Sequence, residues 1–180
     1  MSSKQTKPLY SMVLAALFLA LAMVLPLLTG QIPQIGQALC PMHIPVLLCG
    51  FFCGPWYGLA VGAIAPLLRF LLFGMPPIMP TGVAMCFELA VYGLLAAVLY
   101  RALPKKNWAV YVALIGAMIA GRLVWGAARL VLLGLGQAPF GWAAFLSGAV
   151  LDALPGIALH IVLIPLLVIA LKRYNPQAQA

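Results

Sequence analysis

The 180 residues are 66% hydrophobic and only 7% charged, where soluble domains are about half apolar and a quarter charged. A soluble core cannot absorb that much apolar surface, so lipid is the solvent for most of this chain. Most of the net charge of +8 sits at the ends of apolar runs, on Lys4, Lys7, Arg101, Lys105, Lys106, Lys172 and Arg173, not in a stripe or basic helix; it marks membrane topology and argues against a nucleic-acid partner.

In chain order, the apolar runs predict six spans of an all-α integral membrane protein, a single domain over residues 1–180. The first, Leu9 to Leu28, follows Lys4 and Lys7, a start that secretory signal peptides share. It is too long for a signal h-region and no Ala-x-Ala-like exit follows its end, so it is read as a retained helix. Ala16 and Ala20 give it a small-xxx-small face suited to close approach by another helix. The second, Pro41 to Cys53, is weak: about a dozen residues rise only about 20 Å against a hydrocarbon core of about 30 Å. The others are Tyr57 to Phe73, Thr81 to Tyr100, Trp108 to Leu133 and Gly141 to Leu171. In the last, Pro155-Gly156 is expected to break the hydrogen-bond ladder locally.

Basic residues flank cytoplasmic ends, and each span reverses the side. With six spans the amino terminus, the Arg101 to Lys106 loop and the Lys172-Arg173 end all fall inside; with five, the Arg101 to Lys106 loop faces out. Six spans with both termini cytoplasmic are therefore predicted. Gly54-Pro55-Trp56-Tyr57-Gly58 becomes an inner turn. Thr29 to Met42, Gly74 to Pro80 and Gly134 to Phe140 become outer loops carrying Gln31, Gln34, Gln37, Met75, Pro76, Pro77 and Gln137, and read either as lids over a pocket or as plain connections.

Arg69, Glu88, Arg122, Arg129 and Asp152 fall within the predicted spans, with His160 a sixth titratable group. Arg or Asp near a helix centre costs about 2.5 to 3.5 kcal/mol on insertion scales, so these side chains are expected to face the bundle interior, pair, or line water. Arg122, Trp125, Gly126 and Arg129 are spaced i, i+3, i+4 and i+7, which puts two guanidinium groups and an indole on one stripe of the fifth helix. Glu88 and Tyr92 lie one turn apart on the fourth, and His43 stands at the mouth of the second. By depth, Arg69, Glu88 and Arg129 lie in outer halves, with Arg122 and Asp152 nearer the middle, so the cluster opens outward.

Three arginines against two carboxylates leave one positive charge to suit a carboxylate or phosphate ligand. Pairing Arg122 with Asp152 and Arg69 with Glu88, with Arg129 snorkelling outward, accounts for the same charges without a ligand. Ionisable residues at membrane depth are functional by default, so His43, Arg69, Glu88, Tyr92, Arg122, Trp125, Arg129 and Asp152 are taken as candidate substrate-binding residues.

No Gly-x4-Gly-Lys-Ser/Thr occurs and no cytoplasmic segment is large enough for a nucleotide domain, so energy must come from elsewhere. Gly-x-Ser-x-Gly, His-Glu-x-x-His and paired acidic metal motifs are also missing. An intramembrane lipid-modifying enzyme would have to use Glu88, Asp152 and His160 as its catalytic groups. Cys40, Cys49, Cys53 and Cys86 lie in or beside apolar runs, where free cysteine acts as a small hydrophobe. Cys40, His43, Cys49 and Cys53 match no familiar zinc spacing, and neither a metal nor a cofactor is expected.

Pro41-Met-His-Ile-Pro-Val-Leu-Leu-Cys-Gly50, Gly54-Pro-Trp-Tyr-Gly58, Ala65-Pro-Leu-Leu68, Gly74-Met-Pro-Pro77 and Phe87-Glu-Leu-Ala-Val-Tyr-Gly93 together resemble an energy-coupling factor (ECF) transporter S component, nearest the pantothenate-type group. The resemblance covers about the middle third of the chain. It implies a six-helix subunit in a prokaryotic cell membrane that captures a vitamin from outside and topples against a shared T subunit driven by two cytoplasmic ATPases. It also implies that Ala16 and Ala20 contact the T subunit and that the short second span is a real helix. Pantothenate is favoured because its carboxylate suits the extra positive charge. Cobalamin, pyridoxine, folate and queuine-like compounds are the alternatives, and Tyr92, Trp125, Phe140 and Trp142 keep a flat ring ligand in view.

Overall fold

The computed structural model describes residues 6–29, 32–104, 106–135, 141 and 147–174. Lys4, Gln31, Lys105, Gln137, Phe140 and Trp142 lie outside the described residues, as do the side chains of Lys7, Gln37, Lys172 and Arg173. The described residues are helical and contain no strand: α1 (Thr6–Val24) runs on into a 3-10 turn (Leu25–Thr29), followed by α2 (Pro33–Leu39), α3 (His43–Cys53), α4 (Pro55–Phe73), α5 (Val83–Ala102), α6 (Asn107–Leu135) and α7 (Leu154–Tyr174). Wide helical turns at Ile78–Gly82 and Ser147–Leu151 lead towards α5 and α7. Five stretches are long and apolar enough to cross a membrane: Leu9–Leu28, Pro55–Phe73, Ile78–Ala102, Asn107–Gly134 and Leu154–Leu171.

Pro55 opens α4 in its first turn, where a missing N–H costs nothing because that donor has no partner inside the helix. Gly74 ends the same helix in the left-handed conformation (φ 69°) that glycine adopts without penalty. Pro155 takes the same first-turn position in α7, so the break expected at Pro155-Gly156 falls just before it, where Ser147–Leu151 leads into a turn at Asp152 and Ala153. The outer faces of the long helices are apolar: Leu9, Met12, Val13 and Leu17 on α1, and Val162 and Leu166 on α7, are exposed. In water such a surface would be a liability; in lipid it needs no cover.

The short helix α3 is the centre of the bundle. All eleven of its residues are buried, and α1, α4, α5 and α7 pack around it. Backbones approach closely where glycines meet. A β-carbon on Gly93 of α5 would overlap the Gly58 carbonyl of α4, and one on Gly58 would lie 2.9 Å from the Gly50 Cα of α3. Small residues at such crossings let membrane helices gain van der Waals contact where no hydrophobic force drives them together.

The length deficit of α3 has a structural explanation. Its carboxyl end, Gly54 (φ 99°), lies beneath the Arg101 guanidinium, which a β-carbon there would approach to 2.5 Å. Its amino end, His43, lies beside Glu88 of α5. On α5 those two levels are thirteen residues apart, about 20 Å. The helix therefore runs alongside α5 from the Glu88 level to the Arg101 end, and it begins part-way along its neighbour. Above it stand α2 and the turn at Cys40, in a segment that the sequence marked only as a loop. Too short and too polar to register as a span, α2 packs on α7; a β-carbon on Gly156 would meet the Ala38 carbonyl at 2.6 Å.

Candidate functional site

The chain turns sharply where α2 gives way to α3. Cys40 adopts φ 47° and ψ 52°, a left-handed conformation uncommon for a residue with a β-carbon, and its carbonyl accepts the His43 N–H at 3.0 Å. The turn delivers the His43 side chain, 2% exposed, into the space between α5, α6 and α7.

A carboxylate from α5 and a guanidinium from α6 meet it there. Arg122 Nη1 lies 3.0 Å from Glu88 Oε1, and His43 Nε2 lies 3.6 Å from the same oxygen. The first contact is an ion pair by distance but is not aligned as a hydrogen bond, and the second is too long to be one. Arg122 Nη2 reaches the Cys40 thiol at 3.7 Å. Tyr92, one turn beyond Glu88, sets its ring edge-on to His43 with centroids 5.3 Å apart, and Gly121 of α6 leaves room for that ring: a β-carbon there would overlap it. His160 of α7 stacks on His43 at 5.9 Å and 23°.

The cluster is deep and incompletely satisfied. Glu88 is 1% and His160 2% exposed. Both His43 ring nitrogens, His160 Nε2 and Arg122 Nε are buried without a hydrogen-bond partner in the protein. Buried polar groups are paired in most native structures, and each exception asks for a ligand, a water or a mechanism.

Farther along α6, Trp125 is buried against Ala84, and a β-carbon on Gly148 would meet its ring at 2.9 Å. The Arg129 guanidinium lies over that indole at 5.1 Å and reaches the Thr81 hydroxyl at 3.5 Å. The stripe read from the sequence therefore exists as one face of α6, with Arg122 and Arg129 about 10 Å apart along the axis.

Of the eight candidates, His43, Glu88, Tyr92 and Arg122 converge, and Trp125 and Arg129 adjoin them. Arg69 and Asp152 do not join the cluster. Arg69 is buried on α4, where it donates to the Met23 carbonyl at 3.2 Å and lies over the Phe73 ring. Asp152 is exposed and accepts a hydrogen bond from Ser147 Oγ at 3.3 Å. The ligand-free pairing of Arg122 with Asp152 and of Arg69 with Glu88 is thus corrected: Glu88 pairs with Arg122. His160 and Cys40 complete the cluster. His160 had a signal, as a titratable group in an apolar run; Cys40 had none, since cysteine is at home in such runs.

None of the four cysteines is in a disulfide among the described residues, and Cys49 and Cys53 lie about 9 and 15 Å farther along α3 than His43. Among the described residues no three His, Cys, Asp or Glu side chains group as metal ligands.

An apolar helical bundle with an ionised, partly unsatisfied centre defines a multi-pass membrane protein with an internal polar site. A family model described as "ECF transporter, substrate-specific component" matches residues 10–168, and the chain belongs to that family. No curated protein and no solved structure matches it. Members of the family are substrate-binding subunits of transporters, not enzymes, and they work with T and ATPase subunits on a small-molecule substrate.

Proposed function

We propose that this subunit captures a vitamin or related micronutrient from outside a prokaryotic cell, with pantothenate favoured, and delivers it inward with a T subunit and two ATPases. The observation that carries this reading is the buried cluster of His43, Glu88, Tyr92 and Arg122, in which both His43 ring nitrogens, the Tyr92 hydroxyl and Arg122 Nε lack a hydrogen-bond partner. A structural ion pair alone leaves those donors and acceptors unexplained. Trp125 and Arg129 lie on the outer side of the same site in the six-span reading, with both termini cytoplasmic. Support for that topology comes from α3: short as it is, it links the level of the cluster to the Arg101 end. Ala16 and Ala20, one turn apart and exposed on α1, are available to the T subunit.

The test is a thermal-shift screen of the purified chain against pantothenate, cobalamin, pyridoxine, folate and queuine. A ligand present at a hundred times its Kd stabilises by about 2.7 kcal/mol, a rise of several degrees. Stabilisation by one vitamin alone is the expected result; no response to any of them would contradict the reading.

A further inference from the structure

The site has two chemically different ends. At the deep end Arg122 and Glu88 lie 3.0 Å apart and cancel each other's charge. What remains there without a hydrogen-bond partner is both nitrogens of His43, Nε2 of His160, Nε of Arg122, the Tyr92 hydroxyl and Glu88 Oε1. An uncharged imidazole offers one donor and one acceptor, so this end is matched by groups that both donate and accept: hydroxyls and amides. Two turns outward along α6, about 10 Å away, Arg129 sits over the Trp125 ring with the Thr81 hydroxyl at 3.5 Å. A guanidinium held in place by an indole and beside a hydroxyl is suited to a carboxylate or phosphate.

We infer that the cargo is an elongated anion, roughly 10 Å from end to end, bound with its uncharged hydroxyl- or amide-bearing end buried at His43 and His160 and its anionic end outward at Arg129. The inference rests on the vitamin-binding reading above and adds a substrate class and an orientation. It gives the two arginines separate tasks. Arg122 holds Glu88 and shapes the deep end, and Arg129 reads the anion.

The vitamin panel, followed by two variants, tests each level separately. Pantothenate and its alcohol analogue pantothenol, which has a hydroxymethyl group in place of the carboxylate, are titrated calorimetrically into the wild type, Arg129→Gln, Arg122→Gln and His160→Ala. The wild type should prefer pantothenate by about tenfold or more, the scale of one charge-assisted hydrogen bond. Arg129→Gln should remove that preference and leave pantothenol affinity within threefold. Arg122→Gln and His160→Ala should weaken both ligands by a similar factor; if Arg122→Gln does not fold, His160→Ala carries the comparison. A preference that survives Arg129→Gln overturns the orientation. If the panel vitamin that binds is uncharged pyridoxine or cobalamin, the substrate class is overturned while the vitamin-binding reading stands. A panel in which nothing binds defeats that reading itself.

Discussion

Replacing Glu88 with Gln removes one member of a buried ion pair and leaves the other in place. Arg122 Nη1 is 3.0 Å from the carboxylate, and the two side chains are 16% and 1% exposed, so little water is available to take over the lost interaction. Breaking such a pair from one side costs about 3 to 5 kcal/mol, because a charge remains without compensation in a medium of low polarity. For a chain of this size each kcal/mol moves the melting temperature by about 2 to 4 °C. Glu88→Gln should therefore lower it by at least about 6 °C in detergent. The double variant Glu88→Gln with Arg122→Met removes both charges and should recover most of the loss. A double-mutant cycle read by thermal unfolding then reports a coupling of about 2 kcal/mol or more. Additive losses, or a single variant as stable as the wild type, would refute the claim that these two side chains are one energetic unit.

Packing predictions follow from the glycine contacts. Gly93→Ala forces a β-carbon into the Gly58 carbonyl and should cost about 1 to 3 kcal/mol or more, read as loss of monodisperse protein on size exclusion. Gly36→Ala, where nothing lies within 4 Å, should be neutral. Asp152→Ala removes only the exposed contact with Ser147 and should change ligand affinity less than twofold, by titration calorimetry. Ala16→Leu with Ala20→Leu should leave binding intact and block uptake into cells carrying the T and ATPase subunits; uptake at the wild-type rate would show that this face is not the docking surface.

The helical, membrane-embedded character was legible because lipid demands long uninterrupted apolar runs, and hydropathy reads those directly. Depth was legible only in part: counting residues put Glu88 in the outer half of its span and Arg122 nearer the middle of its own, yet the two side chains meet. Pairing was not, because it depends on which helices are neighbours and how each is rotated. Arg69 illustrates the limit. Its position along α4 says nothing about the partner, which is a backbone carbonyl on α1. Asp152 illustrates another: in the turn before α7 its side chain is exposed, although it falls near the middle of a predicted span. The weak second span proved informative. Its missing length is taken up by the turn at Cys40 and by α2, so the feature that made it hard to read as a span marks where the polar cluster begins.

The most direct test of the central claim is native mass spectrometry of the chain as it leaves the membrane, comparing the wild type with Arg122→Gln and Arg129→Gln. The account predicts one small molecule bound per wild-type chain, identified by its mass as a vitamin, and a reduced bound fraction in both variants while the chains remain folded. A wild type that carries no ligand even after incubation with the vitamin panel, or variants that retain it undiminished, would contradict the claim that this buried cluster is where the cargo is held.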